Sequence, residues 1–124
     1  MIKSIGLDLV EIARITADVE RYGERFIQRI LGPQELEIYN RRHDKELFLS
    51  GRFAAKEAVV KGLGQYLTDR PPLAEIQIIN DPSGRPQLEL PPEMQRRISP
   101  AQCILSITHE KKYAAAVAVF VEEK

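Results

Sequence analysis

The apolar residues of this chain change their spacing about halfway along, and this change limits the folds that the chain can adopt. After an opening strand-like segment, Ile2 to Leu7, apolar residues recur at helical intervals as far as Leu63. Beyond Leu73 they follow the alternating pattern of strands. Helices followed by hairpins are typical of an α+β domain in which helices cover one face of an antiparallel sheet. Residues 1–124 are expected to form that single domain.

The expected elements can be placed along the chain from the same spacing. The predicted helices are a kinked arm over residues 12–31, broken at Gly23 and stopped by Gly32-Pro33, a short helix from Gln34 to about Arg42, and a long helix from about Lys45 to Leu63. Gly64 is expected to end the long helix in the left-handed conformation. The predicted strands are Ile76 to Asn80, Gln87 to Leu90, Cys103 to Thr108 and Tyr113 to Val121, with a turn at Asp81-Pro82-Ser83-Gly84 and one or two helical turns from Glu93 to Ile98.

The charge of the chain argues against some classes of protein. Eighteen basic and eighteen acidic residues give a formal net charge of zero, which does not suit a protein that holds nucleic acid by its phosphates. The basic residues nevertheless cluster in two patches that could hold an acidic partner. The first patch comprises Arg14, Arg21, Arg25 and Arg29, and the second comprises Arg41, Arg42, Lys45, Arg52 and Lys56.

Neither a membrane nor an oxidising compartment is indicated. No apolar run approaches the length of about 20 residues that spans a bilayer, and the first residues lack the regions of a signal peptide. The single cysteine, Cys103, favours a reduced, cytoplasmic setting. Its apolar neighbours Ile104 and Leu105 predict a small buried hydrophobe rather than a nucleophile.

Four residues in three separate segments supply two carboxylates, a lysine and a histidine that could act together. Glu57 and Lys61 lie one helical turn apart within the predicted long helix and share a face. Asp8 lies in the opening strand, and His109 follows the Cys103 strand. Each also has an ordinary explanation: Asp8 as a helix cap or arginine partner, the Glu57–Lys61 pair as an exposed helix pair worth about 0.2–0.5 kcal/mol, and His109 as a structural histidine.

The chain resembles the short bacterial holo-acyl-carrier-protein synthases, which are 4′-phosphopantetheinyl transferases, over nearly its whole length. Three ordered blocks carry the resemblance. They are Ile5-Gly6-Leu7-Asp8 with Val10-Glu11-Ile12 and Arg14-Ile15, the block from Gly51 to Lys61, and Leu105-Ser106-Ile107-Thr108-His109 with Tyr113-Ala114-Ala115-Ala116. The resemblance implies transfer of 4′-phosphopantetheine from coenzyme A to a serine of an apo acyl carrier protein, with release of adenosine 3′,5′-bisphosphate, for fatty acid biosynthesis.

The resemblance also implies roles for the four residues. Asp8 and Glu57 would be Mg²⁺ ligands, in keeping with the preference of this ion for one or two carboxylates together with phosphates and water. Zinc is disfavoured because the chain has one cysteine and two histidines. Lys61 would stabilise or protonate the leaving phosphate, and His109 would contact the substrate phosphate. The general base is either Glu57 itself or a water held by the ion.

Further residues are candidates for holding the two substrates. Lys45, Arg52, Lys61 and His109 are the candidates for coenzyme A, with Lys45 and Arg52 considered for its 3′-phosphate. The carrier proteins that this family modifies are acidic along their recognition helix. Arg14, Arg21 and Arg25 are therefore the expected carrier-binding residues. Each of these arginines and lysines could equally be an ordinary surface charge.

The last strand alternates small and larger side chains, so that Ala114, Ala116 and Ala118 form an unusually flat face. This face could pack on a helix of the same chain or on another subunit. The resemblance favours the second alternative, because the short synthases are trimers with active sites between adjacent subunits. We therefore expect a homotrimer.

The sequence departs from the family pattern directly after the central block. Many short synthases continue with a glycine-rich segment, whereas Gly64 is here followed by Gln65-Tyr66-Leu67. Gly62 stands where alanine is commoner, which is expected to loosen the helix end slightly.

The alternative to a transferase is a noncatalytic module that kept the fold and binds a carrier protein or nucleotide.

Overall fold

The long helix, the opening strand and the last two strands build the framework of the molecule. The computed structural model describes residues 1–123. The strands are β1 (Ile2–Glu11), β2 (Gln77–Asn80), β3 (Pro86–Glu89), β4 (Gln102–His109) and β5 (Tyr113–Val121), and the helices are α1 (Ile12–Tyr22), α2 (Glu24–Ile30), α3 (Pro33–Arg41), α4 (Lys45–Leu63) and α5 (Pro92–Ile98). A single 3-10 turn, Leu73–Glu75, precedes β2. The chain thus forms the predicted single α+β domain.

The five strands form two antiparallel sheets. The three-stranded sheet has the order β1-β5-β4, with β5 central and antiparallel to both neighbours, and β2 and β3 form a separate hairpin. The hairpin turn is closed by the Gly84 backbone N–H, which donates to the Asp81 carbonyl (2.9 Å). Gly84 has a φ of 89°, which an L side chain rarely adopts. The predicted hairpin is therefore confirmed.

Glycines at the ends of the predicted helices behave in two different ways. Gly23 has a φ of 63° and separates α1 from α2, as the sequence predicts. Gly64 does not adopt the expected left-handed conformation, because its φ is −56° and its ψ is −22°. The backbone N–H groups of Tyr66 and Leu67 both donate to the Leu63 carbonyl (2.8 and 2.9 Å), so helical bonding continues past Gly64. The predicted left-handed conformation of Gly64 was therefore wrong, although α4 ends at Leu63 as expected.

The flat alanine face of β5 packs inside the chain. Ala114, Ala116 and Ala118 are at most 3% exposed and face α4 together with Gly6 of β1, which pairs with Ala118. The expectation that this face forms the subunit interface is therefore corrected, since small residues here let the helix approach the sheet closely. Gly62 has a packing reason of the same kind, because a Cβ there would lie 2.3 Å from a ring carbon of Phe120.

The opposite face of the three-stranded sheet is open and apolar. Ile5, Leu7 and Leu9 of β1 are each more than 60% exposed, and Ile104 of β4 is 58% exposed. Because side chains of a strand alternate between the two faces, these residues lie opposite the helices. Within residues 1–123 no helix is both long and apolar enough to cross a membrane.

Candidate active site

The geometry of the candidate site begins with the close contact between β1 and α4. The Ser4 hydroxyl donates to the Gly62 carbonyl (2.7 Å), and a Cβ on Gly6 would lie 1.8 Å from the Ala58 carbonyl oxygen. As residue numbers rise along β1 they fall along α4, so the two elements run in opposite directions. Asp8 is two residues beyond Gly6 on the same face of β1 and therefore lies beside the turn of α4 that carries Glu57.

Lys61 joins the two elements at this point. Its Nζ donates to the Leu7 carbonyl (2.8 Å) and lies 3.2 Å from Oδ1 of Asp8. The side chains of Asp8 and Glu57 are 16% and 17% exposed, so each carboxylate is largely buried yet reaches solvent. Three of the four residues expected from sequence thus occupy one corner of the molecule.

Arg70 contributes a second cation that sequence reasoning missed. Its Nη2 donates to both carboxylate oxygens of Glu57, at 2.6 Å and 2.5 Å. Arg70 lies in the segment between α4 and the 3-10 turn, where the motif Asp69-Arg70-Pro71-Pro72 predicts only a loop. No spacing in the sequence links it to Glu57, and folding of the loop over α4 brings the two together.

The donor chemistry of this corner suits a small hard cation. Two part-buried carboxylates, from Asp8 and Glu57, face solvent with exposed cationic partners that can be displaced. Residues 1–123 contain no group of three or more His, Cys, Asp or Glu side chains that would form an all-protein cage. Mg²⁺ fits this arrangement because it usually keeps several waters and binds through one or two carboxylates and substrate phosphates.

His109 does not join this corner within one chain. In the sheet, Asp8 aligns with Ala116 and Ile107, whereas His109 aligns with Ala114 and Val10. Two strand spacings and two residues along the strand place the Cα atoms of Asp8 and His109 about 12 Å apart. His109 instead lines a cleft of about 170 Å³ beside the N-terminal half of α4. That cleft is also lined by Arg42, Asp44, Phe48, Arg52 and Asn80.

Arg52 is the main cation of the second cleft. It is 7% exposed, and its guanidinium stacks on the Phe48 ring, 4.6 Å from the ring centroid. One Nη donates weakly to Oδ1 of Asn80 (3.5 Å), and Nε has no hydrogen-bond partner among the described residues. Burial lowers the pKa of Arg52, while the nearby Glu35 carboxylate opposes that shift. Nε lies 3.9 Å from Oε2 of Glu35 inside the protein, so an anionic ligand in the cleft would meet the Nη side of this guanidinium.

A buried ion pair supports this part of α4. Lys56 and Glu35 are both fully buried, and Lys56 Nζ donates to Glu35 Oε1 (2.5 Å), to the Ile30 carbonyl and to the Leu73 carbonyl (3.1 Å). Burial lowers the pKa of Lys56 and the Glu35 carboxylate opposes that shift. Lys56 and Arg52 therefore do not belong to a surface patch, which corrects the second basic patch expected from sequence.

Comparisons with known proteins identify the family of the chain. The sequence profile described as the 4′-phosphopantetheinyl transferase superfamily matches residues 4–118. The chain belongs to this superfamily. Within it, the chain is one of the holo-[acyl-carrier-protein] synthases, a group of enzymes.

Relatives and solved structures match the transferase over its whole length. The holo-[acyl-carrier-protein] synthase of Herminiimonas arsenicoxydans is 44% identical over 133 aligned positions, which cover 100% of both chains. That of Protochlamydia amoebophila strain UWE25 is 38% identical over 120 residues, 97% of this chain and 98% of that protein. The crystal structure of the Neisseria meningitidis synthase superposes with a TM-score of 0.89 at 30% identity and covers 98% of this chain and 100% of that chain.

Several of the matching structures contain a nucleotide ligand, among them a complex with coenzyme A. The Helicobacter pylori holo-[acyl-carrier-protein] synthase in complex with coenzyme A superposes on this transferase with a TM-score of 0.83 at 32% identity. The match covers 94% of this chain and 99% of that chain.

The remaining candidates of the transferase occupy its surface. Arg14 and Arg21 on α1 and Arg25 on α2 are exposed, and none forms an ion pair among the described residues. Arg14 and Arg21 are seven residues apart and so lie on the same side of α1. Lys45 is held locally, since its Nζ donates to the Arg42 carbonyl (2.6 Å) and lies 5.9 Å from the centroid of the Tyr39 ring.

Proposed function

We propose that this enzyme transfers the 4′-phosphopantetheine group from coenzyme A to a serine of an apo acyl carrier protein. The serine oxygen forms a bond to the β-phosphorus, and the bond from that phosphorus to the bridging oxygen breaks. The electron pair leaves with adenosine 3′,5′-bisphosphate. The observation that supports this most directly is the corner where Lys61 lies 3.2 Å from Asp8 and one helical turn from Glu57.

Mg²⁺ is the proposed cofactor, with Asp8 and Glu57 as its protein ligands. When bound, the ion supplies positive charge that neutralises the pyrophosphate of coenzyme A. Oxygen ligands and the open side of this corner support the assignment.

Lys61 is proposed to stabilise the leaving phosphate. Its side chain is 56% exposed while its ammonium is anchored on the Leu7 carbonyl at 2.8 Å. A compact ammonium can neutralise charge on a phosphate oxygen and can also donate a proton to it. Glu57, largely buried beside it, is the proposed acceptor of the serine proton, directly or through a water.

The substrate phosphates are proposed to extend to the second cleft, where Arg52 and His109 lie. Arg52 offers the cleft side of its guanidinium for the 3′-phosphate of coenzyme A, and His109 offers an imidazole for a phosphate oxygen. Lys45 is the weaker candidate, because its ammonium already bonds the Arg42 carbonyl.

We also propose that the chain works as a homotrimer with active sites shared between subunits. The support is the open sheet face formed by Ile5, Leu7, Leu9 and Ile104, which is larger than scattered surface residues account for. The separation of about 12 Å between Asp8 and His109 within one chain is a second support. A neighbour could supply His109 and Arg52 to the corner that holds Asp8.

The proposed protein partner is an acyl carrier protein of fatty acid synthesis in the cytoplasm. Arg14, Arg21 and Arg25 form the proposed contact with its acidic helix, because all three are exposed and unpaired with carboxylates among the described residues. Steering by such charges raises the rate of association and falls with ionic strength.

Intact-mass spectrometry of an apo acyl carrier protein tests the transferase directly. Incubation with this enzyme, coenzyme A and Mg²⁺ is expected to add the mass of one phosphopantetheine group. EDTA and Glu57→Ala should each abolish the gain, whereas Glu37→Ala, at an exposed position on α3, should not. Carrier binding without any mass gain would instead support the noncatalytic module.

A further inference from the structure

The contact between Arg70 and Glu57 has a geometry that bears on how the site is loaded. One nitrogen, Nη2, lies within 2.6 Å of both carboxylate oxygens. A nitrogen at similar distances from both oxygens lies in the plane that bisects the carboxylate and engages both of them. A cation bound to either oxygen would be repelled by the guanidinium at such short range. Arg70 and such a cation therefore compete for the carboxylate of Glu57.

The two partners of this contact differ in how freely they can move. The Glu57 side chain is on the rigid helix α4 and is 17% exposed, whereas the Arg70 side chain is 60% exposed. Water reaches the exposed guanidinium and screens its charge, which weakens the ion pair. Displacing the guanidinium is therefore easier than moving the carboxylate.

The loop also provides a place for a displaced guanidinium. Arg70 lines a cleft of about 270 Å³ on the side of the loop that faces α5. Three carboxylates, those of Asp69, Glu75 and Glu93, line the same cleft. A released Arg70 can thus reach other acidic partners, and the residues around it, 65–72, would move with it.

We propose that Arg70 is a built-in competitor for Glu57, which a divalent cation must displace to bind. The inference rests on the proposed cation site at Asp8 and Glu57, and it adds a role for the loop between α4 and the 3-10 turn. Arg70 lowers the affinity of the site for a cation and couples loading of the site to release of the loop. It is a positioning residue, since it acts through Glu57.

A purely structural role for Arg70 makes different predictions. If the ion pair served only to hold the loop, removing the guanidinium would loosen residues 65–72 and leave the cation affinity unchanged or weaker. Competition instead predicts tighter cation binding after removal. The difference should shrink as salt rises, because salt screens an exposed guanidinium–carboxylate pair more than a direct cation–carboxylate contact.

The test is a titration with Mn²⁺ alone, followed by electron paramagnetic resonance of the free ion, without coenzyme A. Arg70→Met is expected to bind Mn²⁺ about threefold to tenfold more tightly than the wild type, and Arg70→Lys to fall between them. The matched control is Arg97→Met, which removes an equally exposed arginine from the same cleft and should leave the affinity unchanged. Glu57→Gln should abolish binding in either background.

Hydrogen exchange of residues 65–72 provides a second readout, which does not depend on enzymatic activity. Addition of Mn²⁺ should speed exchange of this loop in the wild type and leave it unchanged in Arg70→Met. Equal or weaker Mn²⁺ binding by Arg70→Met, with binding that still depends on Glu57, would overturn the inference and keep the cation site. Absence of Glu57-dependent binding in both proteins would overturn the cation site together with the inference.

Discussion

Cys103 shows how the surroundings of one residue decide its chemistry. The sequence predicts a small hydrophobe there, and the side chain packs partly buried against the core. Burial raises the pKa of the thiol to about 12. The reactive thiolate is therefore scarce near neutral pH, and a catalytic role is disfavoured.

Alkylation of Cys103 should reveal this environment. At pH 8 we expect the folded protein to react with iodoacetamide at least about a hundredfold more slowly than the urea-unfolded chain, because the unfolded thiol ionises near pH 9.0 and the folded one near 12. Mass spectrometry of timed samples measures both rates. Equally fast reaction of the folded protein at pH 8 would contradict the prediction.

The same difference fixes the sign of a stability effect at alkaline pH. Between pH 9.0 and about 12 the folded state keeps a proton that the unfolded chain has lost. Raising the pH through this window therefore favours unfolding, and the contribution is absent at pH 7. Cys103→Ala should reduce the alkaline loss of stability in urea titrations.

At the scale of elements, the contact between β1 and α4 depends on one glycine. A Cβ on Gly6 would lie 1.8 Å from the Ala58 carbonyl oxygen, a backbone atom that cannot turn aside. We expect Gly6→Ala to lower the free energy of unfolding by about 1–3 kcal/mol or more. The same change should weaken Mn²⁺ binding, because a β1 pushed away from α4 would move Asp8 away from Glu57 and Lys61.

The control for this prediction is Gly51→Ala in α4. A Cβ there meets the Ile107 side chain at 3.4 Å, an ordinary contact, and alanine favours the helix. Urea denaturation should show near wild-type stability for Gly51→Ala. If both alanine variants behaved alike, close packing of β1 on α4 would not be what positions Asp8.

The Glu35–Lys56 pair ties α3, α4 and β2 together. Besides the ion pair, Glu35 accepts hydrogen bonds from the backbone N–H groups of Gly32 (2.9 Å) and Ile78 (2.9 Å). Lys56→Met would leave the carboxylate buried without its ammonium, which is expected to cost about 3–5 kcal/mol in urea denaturation. Lys3→Met, at an exposed site, should cost little. A loss for Lys56→Met no larger than that control would show that the pair does not stabilise the fold.

The elements were more accessible to sequence reasoning than the contacts between them. The bounds of α4 and the break at Gly23 follow from local spacing and from the conformation glycine permits, so they were predicted correctly. The conformation of Gly64 was not predicted correctly, because the Tyr66 and Leu67 N–H groups continue the helical bonding. The alanine face was expected at a subunit interface but packs on α4. Alternation of side chains alone does not say which face of a strand meets the helix.

For the candidate site, sequence proximity predicted Glu57 and Lys61 together, and the resemblance added Asp8. Arg70 carries no local signal, because only the path of the loop brings it to Glu57. Glu35 had a signal that was overlooked: it lies three residues after Gly32 at a helix start, a position whose carboxylate often bonds the backbone there. Lys56 was mistaken for a surface charge because charge counts take no account of burial.

At the scale of the whole molecule, a mixing experiment tests whether subunits share the active site. Glu57→Gln and His109→Ala are each expected to be nearly inactive alone. After denaturation and refolding together at equal amounts, random trimers should regain about a quarter of wild-type activity, because one pairing in four combines both intact residues. Activity no higher than the sum of the separate variants would place both residues within one subunit.

The open sheet face should govern assembly of the subunits. Ile5→Glu places a charge on a side chain that is 62% exposed in the single chain, and we expect it to yield monomers in sedimentation velocity. Tyr22→Glu alters another exposed side chain, on α1, and should leave assembly unchanged. Intact trimers of Ile5→Glu would mean that another surface joins the subunits.

The course of α4 across the sheet has a consequence for how the chain tolerates changes in length. Arg52 near the middle of α4 and Lys61 near its C-terminal end are nine residues apart, or about 13 Å along the axis. The helix therefore sets the distance between the cleft of Arg52 and the corner of Asp8 within one chain. One inserted residue between them would turn Lys61 by about 100° away from β1. The same insertion in the Asp81–Gly84 turn would leave the separation of Arg52 and Lys61 unchanged.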